Sequence, residues 1–388
     1  MLVLAAPAAA SAADPPRVGR ADAAIVMDAR DGTVMFQKNP DQRRAIASAT
    51  KLMTALLTLE RARPGDLFTA PAYSALPAES KINLRRGERM RVDDLLEALL
   101  LESANDAAVT LAQNIAGSRP GFVALMNARA AELGLAHTSY ANPIGLDDPD
   151  NHSSARDLAS LAARLLRNRR FARIVDMPEA VLESGSRRRV VDNRNDLVRR
   201  YPFVDGVKTG HTIDAGYVLV GAARGAGASV LSVVLGEPSE AARDADTIAL
   251  LRWGLSRFRR EQVLDPDRVL ARPDVKYRDE RAALVPRTAL LMTIRTGESV
   301  SRRIDAPDEV EGPLDAGEKA GSVTVLLDGK PVRRVALITA EEVPGAGPVR
   351  VFFSTVGVPL TLLFLLCALG AAALMVRRSR ARQRTVRE

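Results

Sequence analysis

A single cysteine, Cys367, occurs in this chain of 388 residues, and histidine occurs only at positions 137, 152 and 211. One cysteine excludes a disulfide framework and a cysteine-based metal site, and three scattered histidines do not indicate zinc. The sequence also has no glycine-rich phosphate loop and no basic stripe interleaved with aromatic residues. We therefore predict no metal, no cofactor and no nucleic-acid partner. His137 and His152 are interpreted as hydrogen-bonded structural residues.

Lysine is scarce as well, because it accounts for only seven of the 55 basic residues. The lysines at 51 and 208 stand out against the arginines that fill the other basic positions. Burial or a neighbouring cation can drive a lysine to its neutral form, whereas an arginine stays charged in proteins. Lysine at 51 and 208 is therefore interpreted as a selected choice, and an arginine at 51 could not be deprotonated.

The segment Ser48-Ala49-Thr50-Lys51 places a serine and a lysine three residues apart, on one face of a helix. A serine hydroxyl is a weak nucleophile and needs a base within hydrogen-bond reach. Lys51 can be that base if burial, or a second cation such as Lys208, favours its neutral form. In the structural alternative, Ser48 caps a helix that runs to about residue 62 and Lys51 is a solvated first-turn residue.

Two further motifs follow in the chain. Ser103-Ala104-Asn105 lies in a tight connection between an amphipathic stretch at 92–101 and a helical run at 106–115. We expect Ser103 or Asn105 to cap the second helix in addition to any chemical role. Lys208-Thr209-Gly210 precedes a strand-like run at 216–221, and its glycine permits close approach of a ligand. The alternative for this third motif is a simple edge strand and turn.

Ser-x-x-Lys, Ser-x-Asn and Lys-Thr-Gly in this order form the active-site set of serine enzymes that are acylated by penicillins or D-alanyl peptides. The chain resembles the D-alanyl-D-alanine carboxypeptidases, which are low-molecular-mass penicillin-binding proteins. The resemblance covers roughly residues 22–258, and more loosely 264–343. It is carried by the motifs and by the segments 104–108, 142–147, 152–158 and 205–212. The second motif reads Ser-Ala-Asn where Ser-Gly-Asn is the commoner family form.

The resemblance implies a role for each motif residue. Ser48 would be the acyl-enzyme nucleophile, Lys51 the proton acceptor and Ser103 a proton relay. The backbone N–H groups of Ser48 and His211 would form the oxyanion hole. The implied substrate-binding residues are Asn105, Lys208 as the carboxylate partner, Thr209, Gly210 and His211. The expected partners are peptidoglycan stem peptides, with β-lactams as inhibitors.

The alternation of patterns predicts an α/β sandwich with an antiparallel sheet, as in the serine β-lactamase-like fold that the resemblance implies. Strands are expected at 23–27, 33–36, 204–208, 214–222 and 228–235, around a helical middle that includes 121–133 and 155–167. Short alternating runs predict a small β-rich domain at 264–343. The predicted boundaries are 20–258 for the main domain and 344–350 for a linker.

Both ends of the chain carry targeting signals. Residues 1–13 resemble the cleavage end of a secretory signal, although they lack a basic start, and the alternative is a disordered alanine-rich tail. The 26 residues 351–376 carry no charge and are long enough to cross a hydrocarbon core of about 30 Å. An arginine-rich tail at 377–388 follows and contributes +5 of the formal charge of +8. We predict a single-pass membrane helix with a cytoplasmic tail and an extracytoplasmic catalytic domain, and the alternative is a buried core helix.

Several functions remain open at this point. The first is a carboxypeptidase that removes the terminal D-alanine from stem pentapeptides, and an endopeptidase that cleaves cross-links is poorly separated from it. A β-lactamase is a rival, but its class A form relies on a glutamate that acts through water, and no confident match to that element is found. The alternative that is not an enzyme is a catalytically idle module that binds penicillin or the cell wall.

Overall fold

The computed structural model describes residues 14–385. The prediction for residues 1–13 and the last three residues of the predicted tail therefore lie outside the described part. The described residues form two compact units that divide between Arg259 and Arg260.

The first unit contains a central sheet and several short strand pairs. Its strands are β1 (Ala23–Asp28), β2 (Val34–Lys38), β3 (Arg44–Ala45), β4 (Leu67–Thr69), β5 (Arg89–Arg91), β6 (His152–Ser153), β7 (Glu179–Leu182), β8 (Arg189–Asp192), β9 (Val204–Thr212), β10 (Gly216–Gly225) and β11 (Ala228–Glu237). The central sheet has the order β2-β1-β11-β10-β9, and every neighbouring pair in it is antiparallel. This confirms the predicted antiparallel sheet and puts the third motif on the edge strand β9.

Helices cover both faces of that sheet. They are α1 (Lys51–Arg61), α2 (Val92–Glu97), α3 (Asn105–Ala116), α4 (Arg119–Glu132), α5 (Ala155–Leu166), α6 (Arg169–Val175), α7 (Leu197–Arg200) and α8 (Glu240–Ser256). The 3-10 turn Ala47–Thr50 precedes α1, and a π-helical turn, Ala98–Glu102, follows α2. Ser48 therefore lies in a tight 3-10 turn, and the α-helix that the sequence led us to begin at Ser48 starts three residues later.

The strand β1 shows why the sheet has two covered faces. All six of its residues are buried, with Ala23, Ile25 and Met27 in the core shared with α1, α3 and α5. Ala24 and Val26 belong to the second core, under α8. A continuous apolar strand is expected where both faces of a sheet are packed.

The second unit is rich in β-structure, as predicted. Its strands are β12 (Phe258–Leu264, which begins at the unit boundary), β13 (Asp274–Val275), β14 (Leu284–Pro286), β15 (Leu290–Arg295), β16 (Val300–Asp305), β17 (Glu309–Val310), β18 (Lys319–Leu327) and β19 (Lys330–Thr339). Four of them form an antiparallel sheet in the order β14-β19-β18-β16. A small apolar cluster that includes Leu284, Val323 and Leu337 fills its core.

The chain continues into α9 (Pro348–Thr385). Within residues 14–385, one stretch, Leu360–Arg378, is long and apolar enough in a helix to cross a membrane, by length and composition. The helix is interrupted at Gly357, whose φ of 72° and ψ of 149° are not helical. A glycine adopts positive φ without a side-chain clash, so the break falls at this residue.

Candidate active site

The first motif forms a direct contact between serine and lysine. Lys51 Nζ lies 2.9 Å from Ser48 Oγ and also donates to the backbone carbonyl of Ile144. Lys51 is fully buried, whereas Ser48 is partly exposed. The alternative of a solvated lysine is therefore wrong. Ser48 is also not a helix cap, because Thr50 precedes α1 and makes no side-chain capping bond.

Burial sets the charge state of Lys51. Removal from water lowers its pKa well below the usual value, and the positive charge of Lys208 lowers it further. The negative charge of Glu79 acts in the opposite direction. Because both lowering effects disfavour the ammonium form, the site favours a lysine that can accept a proton. The sequence argument that Lys208 acts as a second cation on Lys51 agrees with this geometry.

Two close backbone approaches hold the turn that carries Ser48. A Cβ placed on Gly210 would lie 2.9 Å from the Ser48 backbone nitrogen, so β9 passes directly beside the nucleophile turn. A Cβ on Gly145 would lie only 2.0 Å from the Ala47 carbonyl oxygen, and Gly145 also has φ of +92°. Asn142 Oδ1 shapes this second approach by accepting the N–H groups of Ile144, Gly145 and Leu146. The loop that supplies the Ile144 carbonyl to Lys51 thus depends on an asparagine and a glycine.

Ser103 has a strained backbone and a hydroxyl without a partner. It follows the π-helical turn in the left-handed region, with φ of 62° and ψ of 30°. Its Oγ is buried and makes no hydrogen bond within residues 14–385. Left-handed backbone at a non-glycine residue costs free energy and is concentrated at functional sites.

The predicted capping role of the second motif is wrong. Ala104 is the residue that precedes α3, and no side chain caps this helix. Asn105, the first residue of α3, instead donates its Nδ2 to Glu79 over 2.7 Å. Both polar side chains are thereby left for contacts other than the helix end.

The third motif lies along β9, with Lys208, Thr209 and Gly210 buried and His211 exposed. Lys208 is 1% exposed, and its Nζ donates to the Thr209 carbonyl over 3.1 Å. Burial, with the charges of Arg194 and Arg243, lowers the pKa of Lys208 to about 7. The His211 ring stacks on Tyr217 with 4.0 Å between ring centroids.

Sequence reasoning missed two charged residues at this site. Arg194 pairs with Glu102, is half exposed and acts electrostatically on Lys208. Glu79, on the loop between β4 and β5, bonds to Asn105 and acts on Lys51. Neither residue belongs to a short motif. The only signal in the sequence is that each is charged: Arg194 is one of many arginines, and Glu79 lies in a loop. Within the described part of the chain, no group of three or more histidine, cysteine, aspartate and glutamate side chains could hold a metal ion.

Comparison with known proteins agrees with this geometry. Residues 9–239 match the family model described as D-alanyl-D-alanine carboxypeptidase. The chain belongs to this family. Residues 258–345 match a second model, the C-terminal domain of penicillin-binding protein 5, so the carboxypeptidase family match and this domain together span most of the chain.

Curated members of the family align along nearly their whole length. D-alanyl-D-alanine carboxypeptidase DacF of Bacillus subtilis is 30% identical over 371 residues, which cover 92% of this chain and 95% of the relative. The DacA carboxypeptidase of Haemophilus influenzae is 32% identical over 354 residues, covering 86% and 87% of the two chains.

Solved structures show the same fold. Penicillin-binding protein 5 from Haemophilus influenzae has a TM-score of 0.61 at 31% identity and covers 86% of this chain and 99% of its own. The Streptomyces K15 DD-transpeptidase has a TM-score of 0.59 at 29% identity and covers 63% of this chain and 100% of its own. The penicillin-binding-protein fold expected from the sequence is therefore confirmed.

Proposed function

We propose that this protein is a serine D-alanyl-D-alanine carboxypeptidase that removes the terminal D-alanine from peptidoglycan stem pentapeptides. The observation that carries the proposal is the contact of 2.9 Å between Ser48 Oγ and the fully buried Lys51 Nζ. The depressed pKa of Lys51 supports its role as the base. Membership of the carboxypeptidase family supports the same reaction.

The proposed reaction begins when neutral Lys51 takes the proton of the Ser48 hydroxyl. Ser48 Oγ then forms a bond to the carbonyl carbon of the penultimate D-alanine. Ser103 relays this proton from the protonated Lys51 to the amine of the departing D-alanine as the peptide C–N bond breaks, which leaves Lys51 neutral again. Water hydrolyses the resulting ester, releases the shortened stem peptide and restores the Ser48 hydroxyl. No cofactor takes part in these steps.

The remaining motif residues would bind the substrate. The backbone N–H groups of Ser48 and His211 would stabilise the oxyanion, and the closeness of Gly210 to the Ser48 nitrogen supports this pairing. Asn105 and Thr209 would bind the peptide. Lys208 would supply positive charge for the terminal carboxylate, and the more exposed Arg194 would share this contact.

Endopeptidase activity on cross-links is the second candidate, because the same nucleophile and base would serve it. The match to the C-terminal domain of penicillin-binding protein 5 favours the carboxypeptidase. The contact of Ser48 with the buried Lys51 argues against an idle wall-binding module. A β-lactamase would need an efficient group for deacylation, and the described site gives no support for that assignment.

One experiment separates these functions. The full chain in detergent is incubated with a stem pentapeptide and with a cross-linked dimer, while free D-alanine and released monomer are measured. We expect D-alanine release in the first reaction and little monomer in the second. Penicillin should form a covalent adduct on Ser48, and Ser48→Ala should abolish both the adduct and the turnover. An adduct on a different serine, found by mass spectrometry, would refute the assignment of the nucleophile.

The apolar stretch Leu360–Arg378 supports a membrane anchor, and we propose that the catalytic domain lies outside the cell. The arginines from position 377 onward favour a cytoplasmic C-terminus under the positive-inside rule. Protease added outside intact protoplasts should leave a short fragment that retains a C-terminal tag. Loss of the tag under this treatment would reverse the orientation. We propose that residues 1–13 belong to an export signal.

A further inference from the structure

The loop between β4 and β5 carries a carboxylate that none of the three motifs includes. Glu79 accepts hydrogen bonds from the Tyr73 hydroxyl, from the Leu76 N–H at 2.8 Å and from Asn105 Nδ2 at 2.7 Å. Burial alone would raise the pKa of Glu79, but these bonds bring it below the usual value. Glu79 is therefore ionised at neutral pH.

The loop segment that follows Glu79 in the chain is fastened to Asn105 and Asp106 at the start of α3. The backbone N–H of Asn105 donates to the Ser80 carbonyl over 2.8 Å. The Asp106 carboxylate accepts the N–H groups of Ile82 and Leu84 over 3.1 and 2.9 Å. These bonds hold the carboxylate of Glu79 in a defined place beside Asn105.

An ionised carboxylate has only acceptor atoms, so the NH₂ group of Asn105 must be the group that faces Glu79. The carbonyl oxygen Oδ1 of Asn105 is consequently directed away from Glu79. In that orientation Oδ1 can accept a hydrogen bond from an amide N–H of a bound peptide. If Glu79 were neutral, the amide could also be held in the opposite orientation.

Glu79 also acts on the base of the reaction. Its negative charge raises the pKa of Lys51, against the effects of burial and of Lys208 on β9. Two other acidic side chains next to the second motif are engaged elsewhere, because Asp106 binds loop N–H groups and Glu102 pairs with Arg194. Among the described residues, Glu79 is thus the carboxylate that opposes Lys208 at Lys51.

We propose that Glu79 is a positioning residue for the carboxypeptidase reaction, which orients the Asn105 amide for the peptide and balances the positive charge of Lys208 at the Ser48–Lys51 pair. This inference rests on the proposed function. It assigns Glu79 no contact with the reacting atoms.

The test compares variants of the full chain in detergent. Penicillin acylation of Ser48 is measured from pH 5 to pH 10, together with kcat/KM for a stem pentapeptide. Glu79→Gln removes the charge at nearly constant shape, and Glu79→Asp keeps the charge with a shorter reach. Glu183→Gln is the matched control, because Glu183 is an exposed glutamate that pairs with the exposed Arg188.

We expect Glu79→Gln to move the acidic limb of the acylation profile to lower pH, since Lys51 would lose its proton more readily. It should also lower kcat/KM for the peptide by roughly 10- to 100-fold, because a misplaced binding group costs about that much. Glu79→Asp should lower kcat/KM while the acidic limb stays near that of the wild type. The control should change neither quantity.

A loss of rate that is equal at every pH, with the acidic limb unmoved in Glu79→Gln, would show a merely structural role and overturn the proposal. Unchanged kcat/KM in both Glu79 variants would overturn it as well. Failure of the wild-type protein to acylate at Ser48 would instead refute the proposed function, so the two failures are distinguishable.

Discussion

The two units of the chain bury polar groups in different ways. In the first unit, Lys51 and Lys208 are buried with no carboxylate bonded to either Nζ, and the buried Ser103 hydroxyl has no partner within residues 14–385. In the second unit, the buried hydroxyls of Ser322 and Thr339 are hydrogen-bonded to neighbouring groups. A buried lysine that no carboxylate neutralises costs stability, so its persistence marks a place where chemistry uses it.

The largest effect is expected when the same substitution is made at one lysine of each unit and the acylation rates are compared. Lys51→Arg keeps the charge but removes the ability to become neutral, so acylation by penicillin should fall about 10²–10⁴-fold. Lys319→Arg, at an exposed position of β18, should leave acylation unchanged. Stopped-flow acylation rates measure both. A rate within a few fold of the wild type for Lys51→Arg would exclude Lys51 as the base.

Glycines provide the second test. In Gly145→Ala the new Cβ would collide with the Ala47 carbonyl at a φ of +92°, so we expect a loss of about 2–5 kcal/mol in the free energy of unfolding, with slower acylation. Gly329 in the second unit also has positive φ but open space around it. Gly329→Ala should therefore cost only about 1–2 kcal/mol. If denaturant titrations gave equal losses of unfolding free energy for the two variants, Gly145 would not approach the Ala47 carbonyl closely.

Buried charge gives a pH-dependent test. The pKa of Lys208 falls from 10.5 to about 7 on folding, so the folded protein binds fewer protons than the unfolded chain between these values. The destabilisation is full below about pH 7 and disappears as the pH rises toward the unfolded value, so stability should increase with pH in this window. Lys208→Met should unfold with a free energy higher by a few kcal/mol at pH 7 and should lose much of this pH dependence.

Denaturant titrations of the wild type and of Lys208→Met at pH 7 and pH 10 measure this effect. Acylation by the variant should be strongly reduced at both values. If Lys208→Met were less stable than the wild type at pH 7, the buried charge of Lys208 would not be destabilising, and the prediction would be wrong.

The smallest effect is expected at an exposed ion pair of the second unit. Arg281 and Asp274 lie 2.9 Å apart, with side chains 65% and 62% exposed. Such pairs contribute about 0–1 kcal/mol, so Arg281→Ala should change the unfolding free energy by less than about 1 kcal/mol. A larger change would mean that the second unit also depends on particular charges.

The sequence predicted those parts of the site that depend on local spacing. Ser48 and Lys51 are three residues apart in the chain, and their contact follows from one turn of helical structure. The antiparallel sheet and the β-rich second unit also follow from local alternation. The Lys208 charge was placed near Lys51 by a resemblance and by the rarity of lysine, and the fold brings it there.

The rest of the site depends on tertiary contacts that spacing does not reveal. Glu79 meets Asn105 from 26 residues away, and Gly145 meets Ala47 from almost a hundred residues away. The capping prediction for Ser103 and Asn105 failed because the π-helical turn ends with Ser103 in the left-handed region, which passes the N-cap position to Ala104. The capping propensity of serine and asparagine therefore does not decide where α3 begins, because the packed core fixes the backbone conformation before the helix.

The acceptor that Lys51 uses on the far side from Ser48 is the main-chain carbonyl of Ile144. A carbonyl of the backbone is present whatever the side chain, so no substitution at residue 144 can delete it. Substitutions of Ile144 would therefore affect packing and leave this hydrogen bond in place. Substitutions of Asn142 and Gly145 would disturb this contact instead, because these residues shape the loop although they take no part in the reaction.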